Sequence, residues 1–431
     1  MKHSLNRARG WLIATALAVL SPLAVAVLPL TQLHADLLDG PPRGAQQLSI
    51  APGQGISTGG APCSTSTLRS TCTITSTGRL LLTANTTYFV RTVPSAVTIS
   101  NASPAVVTQT QTYAAGQLVT FNSTGTLPTG LTAGTVYCVL AAGLSGSGYE
   151  VSATCGGSAI NTSSAGSGTF TVQAGNDLTG NGSAQTATQA FMTLQGAANY
   201  VAQNVDSGGT SVTATIQAAC SGGGGVALYS TGVQMLTPFS GSGNVQFLGD
   251  TVTPSNCQVA VNGAADFQAT YSGTRYSVGG FDISNAAAAG AGLYSSGGAT
   301  LNIVGNMQFG VIGVAGTSGV QVLANDGNVF NTASAWTVSG GSGQLLKSQF
   351  GGHIENATSL TITMTGTPAF ANTALATDVS HMNVGSITTS GSCTGQRYAV
   401  TTNADIFTNS GGANYFCGTV AGATATGGIY Q

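Results

Sequence analysis

The chemistry open to this chain rests on few residues. The candidate acids are Asp250, Asp266, Asp282, Asp326 and Glu355, with His353 two positions before Glu355. Glycoside hydrolysis needs two carboxylates flanking the scissile bond, about 5 to 10 Å apart. Asp282 lies in GGFDISN and Asp326 in ANDGN, contexts that read more readily as strand ends or turns than as catalytic sites. Lyase chemistry needs a base, usually Arg or Lys, and often Ca²⁺ held by several carboxylates. Arg275 and Lys347 stand alone, and the turn GNDLTGNGS offers Ca²⁺ only Asp177. Gly222 to Gly225 is not followed by the Lys-Ser/Thr of a phosphate loop. Serines are too many and histidines too sparse to nominate a triad. No catalytic residue, metal or cofactor is expected.

What remains is binding. Ser, Thr, Asn, Gln and Tyr side chains hydrogen-bond well to sugars, and Tyr271, Tyr276, Tyr294 and Trp336 could add stacking surfaces. Asp282, Asp326, and His353 with Glu355 in GGHIENA are the residues the sequence offers to a glycan. The expected function is a non-catalytic structural or receptor-binding appendage that binds glycan or a partner chain. The alternatives are a polysaccharide depolymerase and an exported adhesin.

These residues need a frame, and the frame starts at Ala174 to Cys220. Thr188 is placed to N-cap a helix, in which Phe191, Leu194, Ala198 and Val201 share one face. Gly196 costs that helix roughly 1 kcal/mol against Ala, so burial must hold it. Almost everything after it is short β runs broken by Gly, Asn and Ser. Val212 to Ala219, Asn244 to Leu248, Tyr276 to Ile283, Leu301 to Phe309, Val320 to Leu323, Leu345 to Phe350 and Leu360 to Met364 read as strands. Their centres recur at roughly 20 to 30 residues, the circumference of one solenoid rung. The pattern predicts an all-β fold: a right-handed parallel β-helix with one N-terminal capping helix, which hides an end that would otherwise template pairing. Asn285, Asn306 and Asn325 each follow a strand; they read either as an Asn ladder or as three unrelated turn residues. Neighbouring rungs stand about 4.8 Å apart, so equivalent acids on adjacent rungs would suit a hydrolase.

Only 5% of the 431 residues are charged and Gly numbers 62, which suits stacked β structure better than disorder. Beyond residue 100 the only cations are Arg275, Lys347 and Arg397, so no nucleic-acid face can be built. Lys2, Arg7 and Arg9 precede an apolar run from Trp11 to Leu30, as in a secretory signal. Cleavage after Ala26 or Ala35 would take the net charge from −2 to about −5. Left uncleaved, this segment is the one expected route to a membrane. The eight cysteines fall as sequence neighbours: Cys63 and Cys72, Cys138 and Cys155, Cys220 and Cys257, Cys393 and Cys417. None shows C-x-x-C spacing, so disulfides of an oxidising compartment are expected, not zinc.

The expected order is a signal peptide (1–35), a linker with a stapled turn (36–79), a first β-helix strand (80–92), a small β domain (93–172), the β-helix (173–390) and a C-terminal β cap (391–431). Within the small domain, Val119-Thr120-Phe121, LPTGLTAGTVYCV (Leu127 to Val139) and SATCGGSAINTS (Ser152 to Ser163) resemble a β domain of bacteriophage tail proteins. The rest resembles phage and prophage tail-fibre or tailspike-like β-helix proteins of pectin-lyase-like fold. The matching phrases are LLTANTTYFVRT (Leu81 to Thr92), GNDLTGNGS (Gly175 to Ser183), AFMTLQGAANYVA (Ala190 to Ala202), LTITMTGTPAFA (Leu360 to Ala371) and the stretch from Thr394 to Gly428. In such relatives the TYFVRT strand runs almost directly into the GND turn, so the small domain looks like an insertion. The adjacent Asp-Asp and Arg-x-Lys of pectin hydrolases are missing. The resemblance implies a homotrimer that recognises a cell-surface glycan, either in a virion or, given the signal sequence, exported to the cell surface.

Overall fold

The computed structural model describes residues 55–57, 75–77, 80–82, 84–176, 190–206, 212–220, 227–235 and 243–431. Residues 1–77 and 78–431 form separate compact units. In the first, the described residues are one antiparallel strand pair, Gly55–Ser57 with Thr75–Thr77. The signal segment, the Cys63 and Cys72 pair, and the GND turn from Asp177 on lie outside the described residues.

The second unit is a parallel β-solenoid of about eight turns. Three parallel sheets of ten, seven and eight strands run along it. One rung contributes a strand to each in turn: Arg275–Gly279, then Asp282–Asn285, then Ala291–Ser296. The chain re-enters the ten-stranded sheet at Thr300, Asn328, His353, His381 and Asp405, that is, every 24 to 28 residues. Each strand alternates, so every second side chain points inward and stacks on its counterpart a rung away. Val245, Tyr276, Leu301, Val329, Ile354, Met382 and Ile406 form one such buried column. Val259, Ile283, Phe309, Val338 and Met364 form another in the seven-stranded sheet. Burying each large member contributes about 1.5–3 kcal/mol, which is how a chain with so few charges holds together.

Two corners explain where the sequence reading merged strands. The run Tyr276 to Ile283 is two strands, because Gly280 at φ 82° turns the chain from one sheet into the next. Leu301 to Phe309 likewise breaks between Ile303 and Met307. At the opposite corner, where the eight-stranded sheet hands over to the ten-stranded one, successive rungs place Tyr271, Gly297, Asp326, Phe350, Val379, Thr402 and Thr426 at positive φ.

Residues 95–175 make a sheet of their own, antiparallel and seven-stranded. It has a separate core of Val107, Val119, Phe121, Tyr137, Tyr149 and Val172. The runs VTFNSTG, TVYCVLAA, YEVSATCGG and GTFTVQ all contribute strands to it. Thr92 N–H donates to Ala174 O at 2.8 Å, and Ala174 N–H donates to the Thr92 hydroxyl at 2.9 Å.

The helix spans Leu194–Asn204, and its N-cap is Thr193, whose hydroxyl accepts from Gly196 N–H at 2.9 Å. The expected cap, Thr188, lies outside the described residues. Phe191 precedes the helix and is extended, bridged to Val90 and fully buried. Leu194, Ala198 and Val201 do share the buried face. The proposed ladder of Asn285, Asn306 and Asn325 is not formed. Asn285 ends a strand of the seven-stranded sheet, Asn306 lies in a loop and Asn325 ends a strand of the eight-stranded sheet. The ladder is built instead by Asn331 and Asn356, in register on adjacent rungs: Asn331 Nδ2 donates to Asn356 Oδ1 at 2.6 Å, and Asn356 Nδ2 donates to Ser386 Oγ at 2.7 Å.

Among the described residues three disulfides join sequence neighbours: Cys138–Cys155, Cys220–Cys257 and Cys393–Cys417, with Cα separations of 5.1, 4.7 and 5.6 Å. They fit an oxidising environment. Among the described residues no helix is long and apolar enough to cross a membrane.

Candidate functional site

Strand alternation sends one set of side chains to the outer face of the ten-stranded sheet. On four consecutive rungs, Asn328–Asn331, His353–Asn356, His381–Asn383 and Asp405–Phe407, these form two parallel columns. Asn328, His353, His381 and Asp405 stack in one; Phe330, Glu355, Asn383 and Phe407 stack in the other. The rings lean on each other along the stack: Phe330 to His353 is 5.6 Å between centroids, and His353 to His381 is 5.0 Å.

Asp405 fixes one end of this row. Its Oδ2 lies 2.6 Å from His381 Nδ1, which holds the His381 ring in place. His353 Nε2 lies 3.7 Å from Glu355 Oε2, too far for a hydrogen bond, and that nitrogen is enclosed without a hydrogen-bond partner. Burial lowers the His353 pKa, and the neighbouring His381 lowers it further; Glu355 and Asp405 oppose them. At neutral pH the row therefore holds His353 in its uncharged form beside two carboxylates.

The sequence-derived candidates are divided by the fold. His353 and Glu355 stand together on this face. Asp326 sits in an exposed left-handed turn two residues before Asn328, at the corner that leads into this sheet, accepting from Gly297 N–H at 2.7 Å. Asp282 lies on the seven-stranded sheet at 7% exposure, between Gln258 and Gln308 of the adjacent rungs. Gln308 Nε2 donates to it at 3.2 Å. The 3-10 turn Pro254–Asn256 packs against its strand. Burial pushes its pKa up to about 6, with Gln258 opposing. Of the four candidate stacking residues, Tyr276 and Trp336 belong to the core, while Tyr271 is exposed and Tyr294 half-buried.

Asp266 is wholly buried, and neither carboxyl oxygen has a hydrogen-bond partner. Burial holds its pKa well above the ordinary carboxylate range; Asn285 opposes this and the nearby Asp282 adds to it. Asp266 and Asp282 are thus neighbouring acids with raised pKa values, but both are closed to a polymer.

His381 and Asp405 escaped the sequence reading. The signal was the rung repeat itself: Asn328, His353, His381 and Asp405 follow at intervals of 25, 28 and 24 residues, each opening a strand of the same sheet. Among the described residues no three His, Cys, Asp or Glu side chains converge as a metal site. Comparison with protein families, with curated proteins and with solved structures finds no match to this chain.

Proposed function

We propose that this protein is a non-catalytic, right-handed β-helix appendage of the tailspike kind, which binds a cell-surface glycan along the outer face of its ten-stranded sheet. One observation carries the reading: the flat grid of Phe330, His353, Glu355, His381, Asn383, Asp405 and Phe407, with half-exposed imidazole, amide and carboxylate groups beside aromatic rings. Such groups offer the hydrogen bonds and ring surfaces a sugar chain uses. The acids of this face do not suit hydrolysis. Glu355 and Asp405 lie two rungs and two positions apart, roughly 12 Å by strand geometry, beyond the reach of a paired-carboxylate mechanism.

In this reading residues 93–172 are a domain inserted into the β-helix, and the helix Leu194–Asn204 caps its N-terminal end. The chain is exported and assembles as a trimer, and Asp282 and Asp326 are structural. A glycan array run beside a depolymerase assay tests it. Wild-type protein is expected to retain a subset of glycans with no reducing ends released, and Phe330→Ala with His381→Ala to lose that retention. Release of reducing ends that Glu355→Gln abolishes would overturn the non-catalytic reading, and retention unchanged in both alanine variants would move the site elsewhere.

A further inference from the structure

The charge balance of this face selects among glycans. Over the four rungs from Asn328 to Phe407 the outer face of the ten-stranded sheet carries Glu355 and Asp405 and, among the described residues, neither Lys nor Arg. The nearest cation in the His353 column is Arg275, three rungs below. Lys347 belongs to the eight-stranded sheet, where its charge is engaged by Asp378. The charged and titratable groups facing His353 are His381, Glu355 and Asp405.

Each carboxylate also has an aromatic neighbour. Glu355 stands in register with Phe330 on the rung below, and Asp405 lies two positions before Phe407 on the same strand face. Phe330 is half-buried and Phe407 is 36% exposed. A carboxylate beside an aromatic face is the arrangement that receives an ammonium group, through an ion pair and a cation–π contact. A carboxylated sugar would meet like charge here instead. The grid presents this pairing twice, on rungs two apart.

Resting on the glycan-binding reading, we infer that the ligand is an amine-bearing glycan: a polymer of hexosamine with free amino groups, bound through Glu355 and Asp405. That binding needs the amines in their ammonium form.

The test uses the full chain and two probes of equal length, a β-linked glucosamine hexamer with free amines and its fully N-acetylated counterpart. The free-amine probe is expected to bind at least about tenfold tighter at about pH 6, where its amines are protonated, and to weaken with added salt. Glu355→Gln and Asp405→Asn, which keep side-chain size, should each weaken it about five- to tenfold. Asp378→Asn, around the corner, should leave it unchanged. The salt titration on wild-type protein gives the answer even where a variant folds poorly. Equal binding of the two probes would overturn the amine assignment while leaving the glycan site standing. Binding of neither probe, with retention of carboxylated or neutral glycans on the array, would overturn the amine assignment alone. Retention of no glycan at all would overturn the glycan reading with it.

Discussion

Asp266 and Asp282 show what a buried acid does to a fold so poor in charge. Asp266 has no hydrogen-bond partner, and Asp282 has a pKa pushed up to about 6 by burial. A folded-state pKa above the unfolded value favours the protonated form in the fold. Its contribution is full below about pH 4 and is lost as pH rises to about 6. For Asp282 the loss is roughly 3 kcal/mol, and Asp266 acts in the same direction. Asp282→Asn keeps the bond from Gln308 and removes the titration. Its stability relative to wild type should therefore rise between pH 4.5 and pH 7.5, as read by urea unfolding at the two pH values. A constant difference across that range would show that the Asp282 carboxyl titrates normally. The sequence placed Asp282 at a strand end, where it is. It could not show that a 3-10 turn about 26 residues upstream of Asp282, at Pro254–Asn256, folds against the same strand.

The same limit operates between elements. Local alternation made the strands readable, because burial on one face imprints period two on the sequence. The cross-rung partners were not readable, because they depend on rung lengths of 24 to 28 residues that vary from turn to turn. That variation is why Asn285, Asn306 and Asn325 looked equivalent and are not, and why His381 was not matched to His353. The real ladder has a measurable cost. Asn356 is 8% exposed and takes part in bonds to Asn331, Thr358 and Ser386. Asn356→Ala removes these bonds while the Asn331 amide keeps Ala333 O and the Thr358 carbonyl keeps Ser386, at about 0.5–1.5 kcal/mol for each bond lost. The variant should melt several degrees lower, and Asn331→Ala combined with it should cost less than the sum of the two single changes, since they share one bond. Strict additivity in that double-mutant cycle would mean the two side chains act independently.

At the scale of the whole molecule, the question is whether residues 93–173 are needed for the solenoid to fold. The two ends of that stretch meet: Thr92 and Ala174 are joined by hydrogen bonds at 2.8 and 2.9 Å. Arg91, two positions before that stretch, is anchored by partners outside it. Arg91 Nε donates to Met192 O at 3.0 Å, its Nη1 donates to Leu228 O, and its guanidinium lies 4.3 Å from the Tyr229 ring centroid. All three partners belong to the solenoid, and Arg91 is 3% exposed. Burial lowers its pKa, the Tyr229 side chain opposing, so the carbonyl oxygens and the ring must stabilise a cation that has no carboxylate among those contacts. The antiparallel sheet gives up little by leaving: its core is a separate cluster, and its links to the solenoid include Ser230 Oγ to Gly134 O at 3.0 Å and Gln173 Nε2 to Ala219 O at 3.2 Å. Replacing residues 93–173 by two glycines should therefore leave a chain that folds with a β-rich circular dichroism spectrum and one cooperative transition. Losing these and the bonds of Gln117 to Gly175 and Asn176 and of Gln173 to Thr92, at about 1 kcal/mol each, should lower its melting temperature by several degrees without abolishing the fold. The His353–His381 face lies several rungs away, so glycan retention should survive the deletion. An aggregated product would show that the antiparallel sheet is integral to the first rungs, and that Arg91 depends on it for its place.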